Sequence, residues 1–338
     1  MLEKPDLADE KVGACLREAF GLPIVQLDFL PLGADLNTAV YRAVGVNGAP
    51  YFVKLRSGPF NESAVTLPKY LSDLGISQII APLAAKDGQL WADLDSFKLI
   101  LYPFVAGHNG YELELSDRHW IELGATLQRI HTAAVPAALL AGLPRESYAA
   151  RWREMVRLGL RRAAQGDFSD PVALECAALI QARRAEMLEL VRRSERLAQA
   201  LLARPLQFVI CHADLHAGNV LMAAGGGFYL IDWDTLILAP KERDLMSIGA
   251  GLFGHWRTPQ EEETLFYRGY GPTQINQDAL AYYRYERIIE DLAVDCDEIL
   301  VADAGVEDRE RSLRFLISNF LPNNTIEIAY ESDQTTRK

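Results

Sequence analysis

The chain contains 338 residues, with a hydrophobic fraction of 49% and a formal net charge of −12. This length is long for a single core and predicts two lobes or domains. The negative charge argues against a nucleic acid or an anionic membrane as the partner, and it is compatible with a cationic small-molecule substrate. The N-terminal sequence MLEKPDLADE lacks the features of a signal peptide, and no apolar run approaches the roughly 18 residues of a membrane span. These observations predict a cytoplasmic protein.

The N-terminal third alternates between polar turns and short runs rich in β-branched and aromatic residues. The Asn47-Gly48 pair between two of these runs is a strong signal for a β-hairpin. We therefore expect an N-terminal lobe, residues 1–102, built on an antiparallel sheet. Its predicted helices are 7–20 and Glu62–Leu74, and its predicted strands are Ile24–Leu30, Ala39–Val44, Tyr51–Leu55, Gln89–Asp93 and Phe97–Tyr102.

Lys54 lies inside the apolar run YFVKL, where a charge needs a partner or an anionic ligand. A nucleotide phosphate would meet this need, whereas the alternative is an edge-strand lysine that reaches solvent. Glu62 is the only acidic residue between Lys54 and Asp73, so it is the candidate to pair with Lys54. The position of Glu62 at a helix start offers a competing explanation, because the helix dipole favours a carboxylate there. Gly33, in the first hairpin loop, is a weaker candidate to lie over phosphates, since most such loops are only turns.

The chain changes character after Tyr102, where an extended segment gives way to helical patterns. We place a hinge at residues 103–107 and a C-terminal lobe at residues 108–330. The carbonyl of Pro103 and the N–H of Val105 are candidates to face an adenine edge. Residues 331–338 form a polar tail that we expect to be frayed. The predicted helices of the C-terminal lobe are one capped by Ser116 and those over Ser147–Ala164, Pro171–Leu202, Asp244–Leu252, Gln260–Gly269, Gln277–Val301 and Glu307–Phe320.

The stretch Phe208–Asp234 carries the most specific chemistry. His212, Asp214 and Asn219 form a His-x-Asp-x-x-x-x-Asn pattern, and Asp232 follows across a predicted tight hairpin. Such a hairpin brings Asn219 and Asp232 close together, so their oxygens can share magnesium ions, while Asp214 lies on the preceding loop. Phosphoryl transfer needs these ligands and a carboxylate that accepts the proton of the attacking hydroxyl. The alternative is a set of capping and packing residues, but four polar groups inside apolar strands would be costly without a metal or another partner.

These segments together resemble the aminoglycoside phosphotransferase family, which has a protein-kinase-like fold. The resemblance rests on Lys54, the Tyr102–Gly107 hinge, HADLHAGN at 212–219, IDWD at 231–234 and APKERDL at 239–245. Within the family, HAGNVL, LAPKERDLMSIG and YYRYERIIEDLAV taken together are most similar to the spectinomycin phosphotransferase branch. The resemblance spans nearly the whole chain. It implies a two-lobed α+β fold, with ATP or GTP and Mg²⁺ as cofactors.

The resemblance implies that Lys54 contacts the nucleotide phosphates and that Glu62 holds it. The backbone groups of Pro103 and Val105 would bind adenine. Three features depart from the protein-kinase pattern. Gly33 stands alone where kinases carry a glycine-rich motif, and the spacing from Lys54 to Glu62 is short for this fold. Trp233 and Asp234 stand where the Asp-Phe-Gly block has phenylalanine and glycine.

The catalytic roles that the resemblance implies fall on the second half of the chain. Asp214 would be the catalytic base. Asn219 and Asp232 would be the magnesium ligands. His212 and Asp244 would support the catalytic loop, with Asp244 accepting hydrogen bonds from it.

The acceptor is expected beside the catalytic loop, against helices of the C-terminal lobe. The predicted helix Gln277–Val301 is the stretch best placed to line it, because a row of carboxylates suits a substrate that carries ammonium groups. For each of these residues the alternative is a solvated acidic face. The candidate acceptor-binding residues are Asp234, Glu286, Glu290, Asp291 and Asp295.

Three functions are compatible with this pattern. The first is a kinase that phosphorylates a hydroxyl of an aminocyclitol or aminoglycoside antibiotic, with spectinomycin as the expected acceptor and resistance as the result. The second is a kinase of a metabolite such as choline, homoserine or methylthioribose. The third, an inactive nucleotide-binding module, is disfavoured because Lys54, Asp214, Asn219 and Asp232 are all present. A substrate panel separates the first two.

Overall fold

The structure is a computed structural model that describes residues 4–32, 37–204, 206–301, 305–321 and 325–335. Gly33 lies outside these residues. No helix in the described ranges is long and apolar enough to cross a membrane. The chain divides into two compact units. Unit 1 consists of Met1–Leu115, Thr132–Leu143 and Gly218–Leu236, and unit 2 consists of Ser116–His131, Pro144–Ala217 and Ile237–Lys338.

The described residues form helices and short strands throughout both units. The strands are β1 (Ile24–Leu30), β2 (Thr38–Gly45), β3 (Pro50–Ser57), β4 (Ala92–Leu94), β5 (Phe97–Pro103), β6 (Gly107–Asn109), β7 (Val209–Cys211), β8 (Val220–Ala223), β9 (Phe228–Leu230) and β10 (Ile237–Ala239). The helices are α1 (Asp9–Phe20), α2 (Ser63–Asp73), α3 (Asp117–His131), α4 (Ala137–Leu140), α5 (Arg151–Gln165), α6 (Pro171–Ala182), α7 (Arg184–Leu202), α8 (Glu242–Leu245), α9 (Pro259–Tyr270), α10 (Gln277–Leu300), α11 (Val306–Ser318) and α12 (Thr325–Thr335).

Unit 1 contains a five-stranded antiparallel sheet in the order β1-β2-β3-β5-β4. Side chains alternate between the two faces of each strand, and one face packs with α1 into a hydrophobic core. Val53 and Leu55 of β3 are fully buried in that core. Lys54 lies between them in sequence and therefore points to the opposite face of the sheet.

A second sheet of unit 1 has the order β6-β8-β9 and contains the hairpin of the catalytic stretch. Strand β6 follows the predicted hinge and was not expected from the sequence. Gly107 pairs with Ala223, and a Cβ at Gly107 would collide with the carbonyl oxygen of Met222. Glycine is therefore required at this position because the two backbones approach too closely for any side chain.

Unit 2 is organised around α10, which packs against α5, α7, α11 and α12. Asn276 caps its first turn, since its side chain accepts a hydrogen bond from the Ala279 N–H at 3.0 Å. Aromatic and aliphatic side chains lie buried on several sides of this helix, as expected for a helix in the middle of a core. Its polar residues are therefore held at defined positions by the surrounding packing.

Several helix boundaries differ from the prediction. The single helix predicted over Pro171–Leu202 is two helices, α6 and α7, which meet at Arg183. No proline or glycine marks this break, so tertiary packing sets it. The helix predicted over Asp244–Leu252 ends early as α8, and the following turns use positive φ angles at Gly249 and Gly251.

The polar tail is ordered through Thr335, so the prediction of a frayed segment is wrong for that part. Residues 325–335 form α12. Asp333 is only 2% exposed and accepts hydrogen bonds from Arg193 at 2.9 Å and Arg196 at 2.8 Å, both on α7. The polar composition of the tail suggested a solvated segment. The sequence did not show that Asp333 is buried, because its partners lie about 140 residues earlier in the chain.

We predict that Asp333→Asn lowers the free energy of unfolding by about 2 kcal/mol, because the charged hydrogen bonds of a buried carboxylate with Arg193 and Arg196 are weakened, while Arg193 keeps its pair with Glu189. Urea denaturation followed by circular dichroism measures this change. Glu331→Gln is the matched control, since Glu331 lies exposed on the same helix. Equal unfolding midpoints for the two variants would show that the charge of Asp333 contributes nothing to stability.

Candidate active site

Lys54 is central to a charged group in unit 1 that we call the Lys54 cluster, formed by Lys54, Arg56, Asp232 and Asp234. Its ammonium Nζ lies 2.7 Å from Asp234 Oδ2 and 3.2 Å from Asp232 Oδ1. The side chain of Lys54 is 13% exposed. Burial alone would lower the pKa of Lys54, but the charges of Asp232 and Asp234 outweigh burial and raise it. Lys54 is therefore a fixed positive charge beside two carboxylates.

Arg56 belongs to the same cluster and was missed by the sequence analysis. It lies two residues after Lys54 on β3, so it points to the same face of the sheet. Its Nη1 donates to Thr38 Oγ1 at 2.9 Å and lies 3.5 Å from Asp234 Oδ2. The signal in the sequence was the two-residue spacing from Lys54.

Glu62 does not pair with Lys54, so that prediction is wrong for this structure. Glu62 is exposed at the start of α2, where its carbonyl accepts the N–H of Thr66 at 2.9 Å. Nearness in sequence suggested Glu62, whereas the carboxylates that reach Lys54 come from Asp232 and Asp234, about 180 residues further on.

Asp234 was expected among the acceptor-binding residues. The structure places its carboxylate on the cations of β3, within reach of both Lys54 and Arg56. Asp234 therefore belongs to the Lys54 cluster, and its assignment to the acceptor site is withdrawn.

Asn219 and Asp232 lie at facing ends of the β8–β9 hairpin, where Ile231 N–H donates to the Asn219 carbonyl at 3.0 Å. Asp232 has a φ of 61°, which is unfavourable for a residue other than glycine and is typical of functional positions. A carboxylate and an amide supply the oxygen ligands that magnesium prefers. These residues therefore fit a magnesium ion.

The predicted adenine-binding residues lie at the end of the five-stranded sheet. Pro103 is the last residue of β5, is exposed and pairs with Tyr51 of β3. Val105 follows and is half-buried. Their contact with adenine stays a prediction.

The catalytic loop of unit 2 begins at the end of β7 and is anchored by Asp244. This carboxylate is fully buried and accepts hydrogen bonds from the N–H groups of His212 at 3.0 Å and Ala213 at 2.7 Å. His131 Nε2 lies 3.0 Å from Asp244 Oδ2, and its Nδ1 lies 2.7 Å from the Tyr270 hydroxyl. Burial would raise the pKa of Asp244, but the hydrogen bond and charge of His131 lower it.

Close packing of α3 against α9 brings His131 and Tyr270 to this anchor. A Cβ at Gly124 of α3 would collide with the Phe266 carbonyl, and one at Gly269 of α9 would collide with the Ile121 carbonyl. The two helices can therefore approach only because glycine faces backbone at both contacts.

Asp214 lies just beyond this anchor and contacts two cationic or potentially cationic side chains. Arg287 of α10 donates to Asp214 Oδ1, and His216 Nε2 lies 3.6 Å from Asp214 Oδ2. Burial would raise the pKa of Asp214, but His216 and Arg287 lower it well below its usual range. Arg287 was not predicted from the sequence, where its only signal is a position four residues before Asp291 on the same helix face.

The four residues of α10 that were candidates for the acceptor site have different surroundings. Glu286 is buried, accepts a hydrogen bond from Ser194 of α7 and forms an ion pair with Arg153 of α5 at 3.2 Å, so its assignment to the acceptor site is wrong. Asp295 is 7% exposed and its Oδ2 has no hydrogen-bond partner. Burial and then the charge of Asp291 raise the pKa of Asp295 to about 8, which also removes it from a cation-binding site.

Glu290 and Asp291 remain half-buried on α10. Glu290 Oε2 lies 3.7 Å from Arg243, and Asp291 Oδ1 lies 3.1 Å from the Nε of Arg287. These two carboxylates keep a position near Asp214, because Arg287 contacts both Asp214 and Asp291.

Residues 28–283 match the model of a family described as the phosphotransferase enzyme family. The chain belongs to this family. A crystal structure of spectinomycin phosphotransferase, APH(9)-Ia, in complex with ADP and spectinomycin is 36% identical in sequence, with a TM-score of 0.89. That match covers 98% of this chain and 100% of the other.

Two further relatives are more distant. Protein StrN of Streptomyces griseus is 25% identical over 225 residues, which is 64% of this chain and 67% of StrN. Choline kinase LicA from Streptococcus pneumoniae is 17% identical with a TM-score of 0.56, over 92% of this phosphotransferase and 99% of LicA. The likeness to LicA shows the fold alone.

The family match confirms the predicted resemblance to the aminoglycoside phosphotransferases. The predicted α+β, protein-kinase-like fold is confirmed as well, with its antiparallel sheet and its helical part. The phosphotransferase is an enzyme of the kinase type.

We predict that Asp244→Ala lowers the free energy of unfolding by about 3–5 kcal/mol, because two backbone N–H groups and His131 lose a buried charged acceptor. Chemical denaturation measures this loss. Glu18→Ala, which removes an exposed pair with Arg17 on α1, is the control. A similar small change in both variants would contradict the role of Asp244 as an anchor.

We predict that Asp295→Asn stabilises the protein at alkaline pH. The pKa of Asp295 is raised in the folded state, so its stabilising contribution is complete below pH about 4 and is lost as pH rises through about 8. The asparagine cannot ionise. The free energy of unfolding of the variant, relative to that of the native protein, should therefore rise by roughly a few kcal/mol from pH 5 to pH 8.5. Urea unfolding at both pH values measures the gain.

Asp297→Asn is the control for this measurement, because Asp297 lies on the same helix in an exposed pair with Arg162. If Asp295→Asn instead destabilised the protein at pH 8.5, Asp295 would have to be an ionised and partnered carboxylate.

Proposed function

We propose that this phosphotransferase transfers the γ-phosphate of ATP to a hydroxyl of an aminocyclitol antibiotic, with spectinomycin as the acceptor and resistance to it as the result. The observation that carries this proposal is the 36% identity, over nearly the full length of both chains, to a spectinomycin phosphotransferase solved with ADP and spectinomycin. The site residues support the transfer chemistry, as follows.

The nucleotide would be held by unit 1. Lys54 and Arg56 supply two fixed cations on one face of β3 for phosphate oxygens, and Lys54 would exchange its carboxylate partners for phosphates. Pro103 and Val105 would offer backbone groups to adenine. Asn219 and Asp232 would hold magnesium, which would neutralise charge that develops on the phosphates.

Asp214 would accept the proton of the acceptor hydroxyl. The hydroxyl oxygen forms a bond to the γ-phosphorus, the bond from that phosphorus to the ADP oxygen breaks, and ADP leaves with the bonding electrons. The proton of the hydroxyl passes to the Asp214 carboxylate, which must be ionised beforehand. The lowered pKa of Asp214 supplies that ionised form.

A cationic acceptor suits the charges around Asp214. The carboxylates of Asp214, Glu290 and Asp291 interact with the guanidinium groups of Arg243 and Arg287. His216 also faces Asp214, and an ammonium group of the acceptor would interact favourably with the carboxylates of this group. The net charge of −12 acts in the same direction at longer range.

The acceptor is tested by measuring ADP release with spectinomycin, kanamycin, hygromycin, choline, homoserine and methylthioribose at equal concentrations. We expect turnover with spectinomycin that EDTA abolishes, and spectinomycin tolerance in a susceptible host that expresses the gene. Turnover of choline or methylthioribose without turnover of spectinomycin would identify a metabolite kinase instead. Full activity in EDTA would contradict the assignment of Asn219 and Asp232.

We predict that Asp214→Asn and Asp232→Ala fail in different ways. Asp214→Asn should reduce kcat on the order of 10²-fold or more while nucleotide binding survives, because only proton transfer is lost. Asp232→Ala should weaken magnesium-dependent nucleotide binding and turnover together. Titration calorimetry with a non-hydrolysable nucleotide, alongside kcat, separates the two.

Asp93→Ala serves as the control for these variants, since it removes an exposed pair with Lys98 in unit 1. Near-normal turnover of Asp214→Asn would show that transfer does not depend on that carboxylate.

A further inference from the structure

Arg287 links two carboxylates of unit 2. Its Nη1 donates to Asp214 Oδ1, and its Nε donates to Asp291 Oδ2 at 3.2 Å. The guanidinium is planar and presents its N–H groups in a rigid fork, so contacts at two of its nitrogens fix its plane. The side chain is 22% exposed and extends from α10, the helix at the centre of the core.

Asp291 lies four residues after Arg287, one turn further along α10. This spacing places both side chains on one face of the helix, where oppositely charged residues pair. Because the backbone of α10 is held by packing on several sides, the pair has a fixed base. Asp291 therefore orients the guanidinium of Arg287.

We propose that Arg287 is a positioning residue that fixes the carboxylate of Asp214 for the attacking hydroxyl, and that Asp291 in turn fixes Arg287. The inference rests on the proposed function, in which Asp214 accepts the proton of that hydroxyl. Without a fixed hydrogen-bond donor, a carboxylate on this loop would rotate about its Cβ–Cγ bond even though the backbone of the loop is anchored. A displacement of about 1 Å in such a group costs on the order of 10²-fold in rate.

The charged groups that face Asp214 also support this role of Arg287. Arg287 reaches it from α10 and His216 from the catalytic loop, while Glu290 and Asp291 add negative charge from α10. Burial raises the pKa of Asp214, and His216 and Arg287 lower it. Without Arg287, burial and the neighbouring carboxylates would raise the pKa of Asp214. As the pH falls, Asp214 would then be protonated earlier, and activity would disappear at a higher pH than in the native protein.

The test compares Arg287→Met, Arg287→Lys and Asp291→Asn with the native protein. Arg287→Met should reduce kcat on the order of 10²-fold with the KM for ATP unchanged, and the acidic limb of its kcat profile should move to higher pH. Arg287→Lys should recover part of kcat and most of the native pH profile, because it restores the charge but not the two-sided contact. Asp291→Asn should show a smaller loss of kcat in the same direction.

Asp297→Asn is again the control, since it removes an exposed ion pair from the same helix. Circular dichroism melting curves of each variant exclude unfolding as the cause of a lower kcat. Equal losses in Arg287→Met and Arg287→Lys, with no change in the pH profile, would overturn the proposal.

A measurement without turnover separates this inference from the proposed function. The carboxyl ¹³C signal of Asp214, identified by its absence in Asp214→Asn, can be titrated in the native protein and in Arg287→Met. The proposal predicts a higher pKa for Asp214 in Arg287→Met even if no acceptor of the panel is phosphorylated. Identical titrations would overturn it, whereas a shifted titration without any turnover would count against the proposed acceptors only.

Discussion

The buried carboxylate of Asp244 holds the catalytic loop. It accepts the N–H groups of two consecutive residues, His212 and Ala213, and faces His131, which contacts Tyr270. A fully buried ion is stable only when its partners are all present, because desolvation otherwise costs several kcal/mol. The conformation of the loop, including the left-handed φ of 68° at Ala213, therefore depends on the packing that brings His131 of α3, Asp244 of α8 and Tyr270 of α9 together.

The functional carboxylates lie beside cations on rigid elements. Lys54 of β3 contacts Asp232 and Asp234, and Arg287 of α10 contacts Asp214. Arg287 helps to keep the pKa of Asp214 low despite the burial of that carboxylate. The two groups serve different needs in the proposed reaction. Lys54 would change partner when phosphates arrive, whereas Arg287 would stay and hold the base.

Local patterns in the sequence predicted a large part of the fold and of the site. A run rich in β-forming residues, ended by turn residues, placed β1 at its observed bounds, and the Asn47-Gly48 turn joins β2 and β3 as expected. The motif pattern identified Asn219 and Asp232, whose strands do pair. Strand β6 was missed because three residues carry too little periodicity, and the break between α6 and α7 was missed because Arg183 is an ordinary helix former.

Long-range partners were not predictable in the same way. The need of Lys54 for a carboxylate was evident, but nearness in sequence favoured Glu62 over Asp232 and Asp234. On α10 the helical period groups acidic residues into stripes without showing which stripe faces the core. Glu286 faces Ser194 and Arg153 inside the core, and Arg287 reaches Asp214, although the two are adjacent in sequence.

The central claim is phosphoryl transfer to an acceptor hydroxyl with Asp214 as the base. Mass spectrometry and ³¹P NMR of spectinomycin after incubation with the enzyme, ATP and magnesium test it most directly. We expect one added phosphoryl group on spectinomycin, present as a phosphate monoester on a hydroxyl. The Asp214→Asn variant should form almost no phosphorylated product. Formation of ADP with spectinomycin recovered unchanged, or equal phosphorylation by Asp214→Asn, would contradict it.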